Sequence, residues 1–323
     1  MPSGISYIGE FVALGTTLSW SIGIFPFTEA ARRIGPNSVN HFRLLLAVFF
    51  LTIISLIFLP ISFKELFTSP LPQHWLWFGL SGVVGLAAGD YFGFTSFAIL
   101  GPRIGSIFST LAPTAALFSG YFLVHERINI IGIIGIAITI AGVIWLTLTR
   151  SAKATMKDHE HGKVGKGILF GILSAICQGV GVVLANKGFQ SQINNANVPA
   201  FQATWLRMVC ATSAVFLITI IRGKLKEVAK PVLENKNNGI IYTVGGTIFG
   251  PVIGVSLSMT AISLLNNKPS VAQTIFSLVP VMVLPLSYLF YKEKITLKSV
   301  LGALIAITGV LVLIWREEII HFF

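Results

Sequence analysis

Asp90, in Gly89-Asp-Tyr-Phe-Gly, lies well inside an apolar run. An ionised carboxylate in hydrocarbon costs at least about 2.5 to 3.5 kcal/mol, so it must face the interior of a bundle or water. There it could bind a proton or cation and couple that binding to transport, or it could be a structural carboxylate tied to a helix end or to an arginine. Two arginines, Arg43 and Arg207, stand one to two turns inside their own apolar runs. Their long side chains could snorkel to the interface, serve a shared structural purpose, or contact a substrate.

Further polar residues are scattered through the apolar runs: Ser19, Trp20, Ser21, Tyr91, Thr95, Gln178, Asn186, Gln202, Thr260, Gln273 and Thr274. Buried amides and hydroxyls need partners in lipid, so these either line a cavity or bond helix to helix. Glu126 and Glu293 sit at the ends of runs beside Arg127 and Lys294, a pattern that predicts interfacial pairing. Asp158, His159, Glu160 and His161 could hold a metal, but a short solvated charge run explains them better. Cys177 and Cys210 have no C-x-x-C spacing, which predicts buried thiols rather than a disulfide or zinc site. No Walker A sequence and no H-E-x-x-H pair occurs, so neither ATP hydrolysis at a P-loop nor zinc proteolysis is expected. The reading is therefore of a protein that is not an enzyme and carries no cofactor or metal.

The elements that must position these groups are membrane helices. The chain is 54% hydrophobic and 11% charged with mean hydropathy +0.82, whereas a soluble domain would carry roughly twice the charge. Ten apolar segments run about 8–25, 38–59, 74–99, 103–124, 128–149, 167–187, 199–221, 239–264, 269–291 and 296–315, each near the length a bilayer requires. Residues 1–7 hold no basic leader, so the first segment reads as a retained helix. The net charge of +11 raises nucleic-acid binding, but the Lys and Arg lie in short loops, where they act as topology signals.

The polar stretch 151–166 separates two groups of five segments, 1–150 and 167–323, and the second group repeats the first. Pro113-Thr-Ala-Ala-Leu-Phe-Ser-Gly-Tyr-Phe-Leu-Val-His-Glu-Arg-Ile returns as Pro280-Val-Met-Val-Leu-Pro-Leu-Ser-Tyr-Leu-Phe-Tyr-Lys-Glu-Lys-Ile. One shift superposes Pro113 on Pro280, Glu126 on Glu293, Gly135 on Gly302 and Gly142 on Gly309. Because five is odd, the second copy must be inverted in the membrane. Loop charges agree: loops on one side hold 16 basic residues and the other side 5, leaving aside Arg43 and Arg207. The positive-inside rule then places the 151–166 linker in the cytoplasm and both termini outside. Glycine stripes, Gly85/Gly89/Gly93 and Gly246/Gly250/Gly254, mark the third and eighth segments as sites of close helix approach, for static packing or for a sliding contact. Pro113 and Pro280 predict bends within their segments.

These residues resemble a known family. Two five-helix copies, each with L-x-P, a Tyr-containing helix, Glu followed by a basic residue and Ile, and then spaced glycines, are similar to the EamA-type branch of the drug/metabolite transporter superfamily. The match is good over Gly101–Leu146 and Pro269–Ile314 and looser elsewhere, where Trp20, Arg43 and Arg207 fit. The resemblance implies an all-α, ten-helix inverted-repeat transporter of the inner membrane. Such a protein moves a small organic metabolite, such as an amino acid, by alternating access, often outward, with protons as a candidate coupling ion. Relatives usually carry both termini in the cytoplasm, whereas the charge count here argues the reverse. The rival classes are an intramembrane enzyme and a non-transporting scaffold.

Overall fold

The computed structural model describes residues 7–58, 61–148, 164–191, 198–265, 268–291, 296–316 and 319–320, and among them every regular element is helical. The first repeat holds α1 (Ile8–Ile34), α2 (Pro36–Phe58), α3 (Pro72–Gly101), α4 (Ala112–Leu123) and α5 (Ile130–Leu148). The second holds α6 (Val164–Gln190), α7 (Ala200–Ile221), α8 (Gly239–Leu264), α9 (Pro269–Leu289) and α10 (Leu297–Ile314). Seven of these helices are long and apolar enough to cross a membrane, and shorter apolar helices occur at Ile130–Gly142 and Val300–Ile314.

Two of the sequence expectations need refinement in the fourth and ninth segments. The stretch 103–124 is not one helix: Gly101 leaves helical geometry at φ 81°, a 3₁₀ turn spans Ser106–Leu111, and α4 then starts with Pro113 in its first turn. α9 likewise breaks at Ser277 and Leu278, just before Pro280. A proline ring blocks the preceding turn and removes a donor, so both copies bend where the duplicated proline stands.

The α5–α10 contact settles how the copies are related. A Cβ on Gly135 would lie 2.9 Å from the Gly309 carbonyl oxygen, and one on Gly142 would lie 2.9 Å from that of Gly302. In repeat register Gly135 corresponds to Gly302 and Gly142 to Gly309, so each position contacts the other's counterpart. Reciprocity of this kind belongs to an antiparallel pair about a two-fold axis, as inverted repeats require.

Loop positions follow suit. Arg33, at the end of α1, donates to the Asn237 carbonyl in the α7–α8 connection at 2.6 Å. At the opposite end, Gln202 at the start of α7 donates to Ser69 Oγ, 2.7 Å away, in the α2–α3 connection. There too Glu126, between α4 and α5, meets Ser270 at the start of α9.

The glycine stripes serve as approach surfaces, each against a different helix. The α3 stripe meets α6, where a Cβ on Gly89 would lie 3.0 Å from Cys177 Cβ and one on Gly93 would lie 3.0 Å from Ser174 Oγ. The α8 stripe meets α1, with Phe27 against Gly246 and Gly250, and Trp20 against Gly254.

Candidate functional site

Both repeats widen the same helix at the same place. Gly82–Gly89 of α3 and Ile248–Val255 of α8 are eight-residue π-helical segments. Pro251 gives the second a local cause, since its missing N–H cannot continue an α-helical ladder. Widened turns leave carbonyls open to donors from outside the helix, and π segments recur at functional sites.

The neighbouring helices supply those donors. In α3, Ser174 Oγ of α6 donates to the Gly89 carbonyl at 2.8 Å, Arg43 Nη2 to Leu86 at 2.7 Å, and Asn40 Nδ2 to Ala87 at 2.9 Å. In α8, Ser19 Oγ of α1 donates to the Phe249 carbonyl at 2.6 Å.

Asp90 follows directly on the first π segment. Arg43 Nη2 pairs with its Oδ2 at 2.7 Å, and Gln178 Nε2 donates to its Oδ1 at 2.5 Å. The Asn40 Oδ1 accepts from Arg43 Nη2 at 2.8 Å and from Nε at 3.2 Å, and the Arg43 guanidinium lies 5.0 Å from the Phe94 ring centroid. Arg43 is thus held on three sides and only 1% exposed, while the Asp90 side chain keeps 20% exposure. That difference is made by a cavity of about 170 Å³ into which Asp90 faces.

Of the residues singled out from the sequence, Trp20, Arg43, Asp90, Gln178 and Gln273 line this one cavity, together with the α8 residue Pro251. Its walls come from both repeats. Aromatic side chains on the apolar wall include Phe27, Phe94, Phe97, Phe108 and Phe276. Trp20 packs edge-on against Phe276, with centroids 5.1 Å apart. Two buried polar atoms on the wall, Ser96 Oγ and Gln273 Oε1, have no hydrogen-bond partner within the described protein. Lining residues reach Phe97, Gly105, Ser106 and Phe108 near the α3–α4 connection. From the first half of α9, Gln273 and Phe276 line the cavity, and Val271, Ala272, Thr274 and Ile275 are at most 1% exposed.

The remaining candidates lie away from the cavity wall. Ser21 Oγ donates to the Thr17 carbonyl, Thr95 to Tyr91, Thr260 to Ser256 and Thr274 to Ser270, each one turn back along its own helix. Asn186 accepts from Gln190, and Tyr91 packs its ring near Phe92 and Phe170. Gln202 bonds Ser69 and thereby ties α7 to the short helix Phe63–Thr68. Arg207 is 3% exposed, its Nη1 3.2 Å from Met259 Sδ and its Nε unpartnered.

Glu126 corrects a sequence expectation. Instead of an interfacial pair with its neighbour Arg127, it is 3% exposed and accepts from Ser270 N at 3.1 Å and from Ser270 Oγ at 2.6 Å. A carboxylate at a helix N-terminus meets free N–H groups, which explains the placement. Burial pushes its pKa up to about 7, against the pull of Ser270, Arg316 and Lys268. Its counterpart Glu293 lies outside the described residues, as does the 158–161 charge run. No group of three or more His, Cys, Asp or Glu that could hold a metal is found among the described residues.

The comparisons with known proteins agree with this architecture. No curated protein matches the chain. Among solved structures, one crystal structure superposes with a TM-score of 0.69 at 16% identity, covering 96% of this chain and 98% of its own, a likeness of fold alone. The model of the EamA-like transporter family matches residues 7–148 and again 165–315, one match for each inverted repeat. The chain is therefore a member of the EamA-like transporter family.

Proposed function

We propose that this protein is a secondary-active transporter that exports a small organic metabolite, an amino acid or related compound, by alternating access. The observation that carries the reading is the cavity itself, built from both repeats, with the Arg43–Asp90–Gln178 cluster on its wall. An ion pair at membrane depth persists only where it is satisfied and useful, and a site between inverted repeats can be presented to either side by rocking one against the other. In this reading Asp90, Trp20, Arg43, Gln178 and Gln273 contact the substrate. The singled-out residues Ser21, Tyr91, Thr95, Asn186, Gln202 and Thr260 serve the helices that frame it. All ten helices cross the plasma membrane, and the 151–166 linker faces the cytoplasm.

Asp90 is the position at which a proton would be coupled, since protonation would release Arg43 and Gln178 to other partners. Purified protein in liposomes, tested by counterflow with a radiolabelled metabolite panel, decides the central point. At least one compound should exchange, and none doing so would refute transport of this class. For that compound, Asp90→Asn should retain exchange and lose accumulation driven by a pH gradient; undiminished accumulation would make Asp90 structural. Cysteine at Met156 should resist an impermeant thiol reagent in intact cells and react after lysis; labelling in intact cells would reverse the orientation.

A further inference from the structure

The charges buried in the middle of the bundle do not balance. Away from the helix ends, the described spans carry three Asp, Glu, Lys or Arg residues: Arg43, Asp90 and Arg207. Arg43 and Asp90 neutralise one another at 2.7 Å. Arg207 occupies the corresponding place in the second repeat, since it lies as deep in α7 as Arg43 lies in α2 and is just as buried. Among the described residues, the spans of its repeat supply no carboxylate at that depth. Opposite Asp90 in the repeat stands Val255 or Leu257, depending on the gap, and the residue that follows the second π segment is Ser256; none of them is a carboxylate.

Two of the three Arg207 guanidinium nitrogens lack a strong acceptor. Its Nη1 meets a thioether, a weak acceptor, and its Nε meets none. Its Nη2 would lie 3.3 Å from a Cβ on Gly85, the residue whose carbonyl accepts from the same Gln178 amide that serves Asp90. Arg207 therefore stands one layer behind the cavity wall and within electrostatic range of Asp90. In a low-dielectric centre, an uncompensated charge at that depth acts on whatever enters the cavity. Protonation of Asp90 would only enlarge the positive excess.

We propose that the cavity selects small organic monoanions, carboxylates with an apolar body, and that Arg207 is the residue that sets this preference. The proposal rests on the transport reading for its physiological meaning, but not for its test. One excess positive charge matches one carboxylate, and the aromatic walls of Trp20, Phe94, Phe97 and Phe276 match an apolar body. A phosphate monoester, at about −1.5 to −2 charge near neutral pH, brings more charge than the site has to spare.

The test uses acid and amide pairs of nearly equal shape. Radiolabelled benzoate is bound to the full-length protein in lipid nanodiscs and displaced by unlabelled benzoate or benzamide, and then by hexanoate or hexanamide. The acids should displace at concentrations roughly ten-fold or more below their amides, because only the charge differs. In Arg207→Met the acid-to-amide ratio should fall to near one, and Arg207→Lys should restore it. Equal displacement by acid and amide in the unmodified protein, absence of saturable benzoate and hexanoate binding, or an unchanged ratio in Arg207→Met would each overturn the proposal. If Arg207→Met fails to reach the membrane, the ratio in the unmodified protein still decides. Failure of all counterflow with the acid preference intact would sink the transport reading and leave the anion preference standing. Counterflow of neutral compounds alone, without acid preference, would do the opposite.

Discussion

The two π segments have one backbone and two chemistries. Around Gly82–Gly89 the outside donors include an arginine, two amides and a serine, and the segment leads into Asp90. Around Ile248–Val255 a serine does the capping, a proline replaces a donor, and the segment leads into Ser256 rather than a carboxylate. Duplication has thus kept the features that shape the helices, glycine stripes, proline bends and widened turns, while the ionic cluster belongs to one copy. Packing is subject to the two-fold relation because both copies must fit each other. Chemistry is not, because one cavity needs only one such cluster.

The shared features should be the most costly to disturb. Gly142→Leu would place a side chain where even a Cβ lies 2.3 Å from the Ala306 backbone nitrogen, and backbone cannot yield as a side-chain tip can. The α5–α10 pair should separate, at a cost above roughly 4 kcal/mol, and little folded protein should be recovered. Gly165→Leu, with nothing within 4 Å, is the control and should express normally. Size-exclusion chromatography of the two variants makes the comparison; a monodisperse Gly142→Leu peak would dissociate the reciprocal contact from stability.

The asymmetric feature comes next. Asp90→Asn leaves Arg43 charged, buried and without its counter-ion, which should cost about 3–5 kcal/mol. Adding Arg43→Gln removes the orphaned charge, so the double variant should recover most of the thermal stability that the single one loses. In the second copy, Val255→Asp would place a carboxylate at one of the α8 positions that repeat register sets opposite Asp90. That substitution should be tolerated with Arg207 present and be destabilising in an Arg207→Met background. Equal losses in both backgrounds would break the equivalence of Arg43 and Arg207.

A third contrast lies between the ends of the bundle. Glu126, bonded to Ser270, has its pKa pushed up from 4.5 to about 7 by burial. The folded state then binds the proton more tightly than the unfolded chain. Its contribution to stability is full below about pH 4.5 and is lost as pH rises through about 7, a span worth on the order of 3 kcal/mol. Glu126→Gln should flatten that part of the stability profile. A slope unchanged by the substitution, in melts followed from pH 4.5 to 8, would assign the pH dependence to other groups.

Much of this fold was legible in the sequence because it rests on repeated, spaced residues: the prolines that bend α4 and α9, the glycines that admit neighbouring helices, and the odd number of segments per copy. In the site, Asp90, Arg43 and Gln178 could be singled out because charge and amide groups are rare at membrane depth. The π segments left no such trace, since one is glycine-rich and the other contains Pro251, and a hydrogen-bond register has no composition of its own. Asn40 escaped notice although it stands three residues before Arg43, the spacing at which helix side chains meet. The aromatic walls were hidden among 25 phenylalanines that lipid-facing and cavity-facing positions share. Polarity alone also says nothing about direction: Thr95, Thr260 and Ser21 turn back on their own helices, while Glu126 reaches across 144 residues rather than to Arg127.

The smallest expected effect tests the comparison most directly. Ser174 and Ser19 occupy α6 and α1, counterpart helices of the two repeats, and each donates its hydroxyl to a carbonyl of the π segment packed against it, at 2.8 Å and 2.6 Å. Neither serine is charged, so if backbone support is the inherited part of the design, Ser174→Ala and Ser19→Ala should cost alike. Each loses one hydrogen bond and leaves a buried carbonyl less satisfied, about 1 kcal/mol per site. Their equality should persist in the Arg43→Gln, Asp90→Asn background, which removes the ionic cluster from the first repeat but leaves both π segments in place. Thermal unfolding of the four proteins measures this. If Ser174→Ala proves far more damaging than Ser19→Ala only while Asp90 is present, the serine belongs to the charge cluster, and the line drawn here between inherited packing and local chemistry must move to include it.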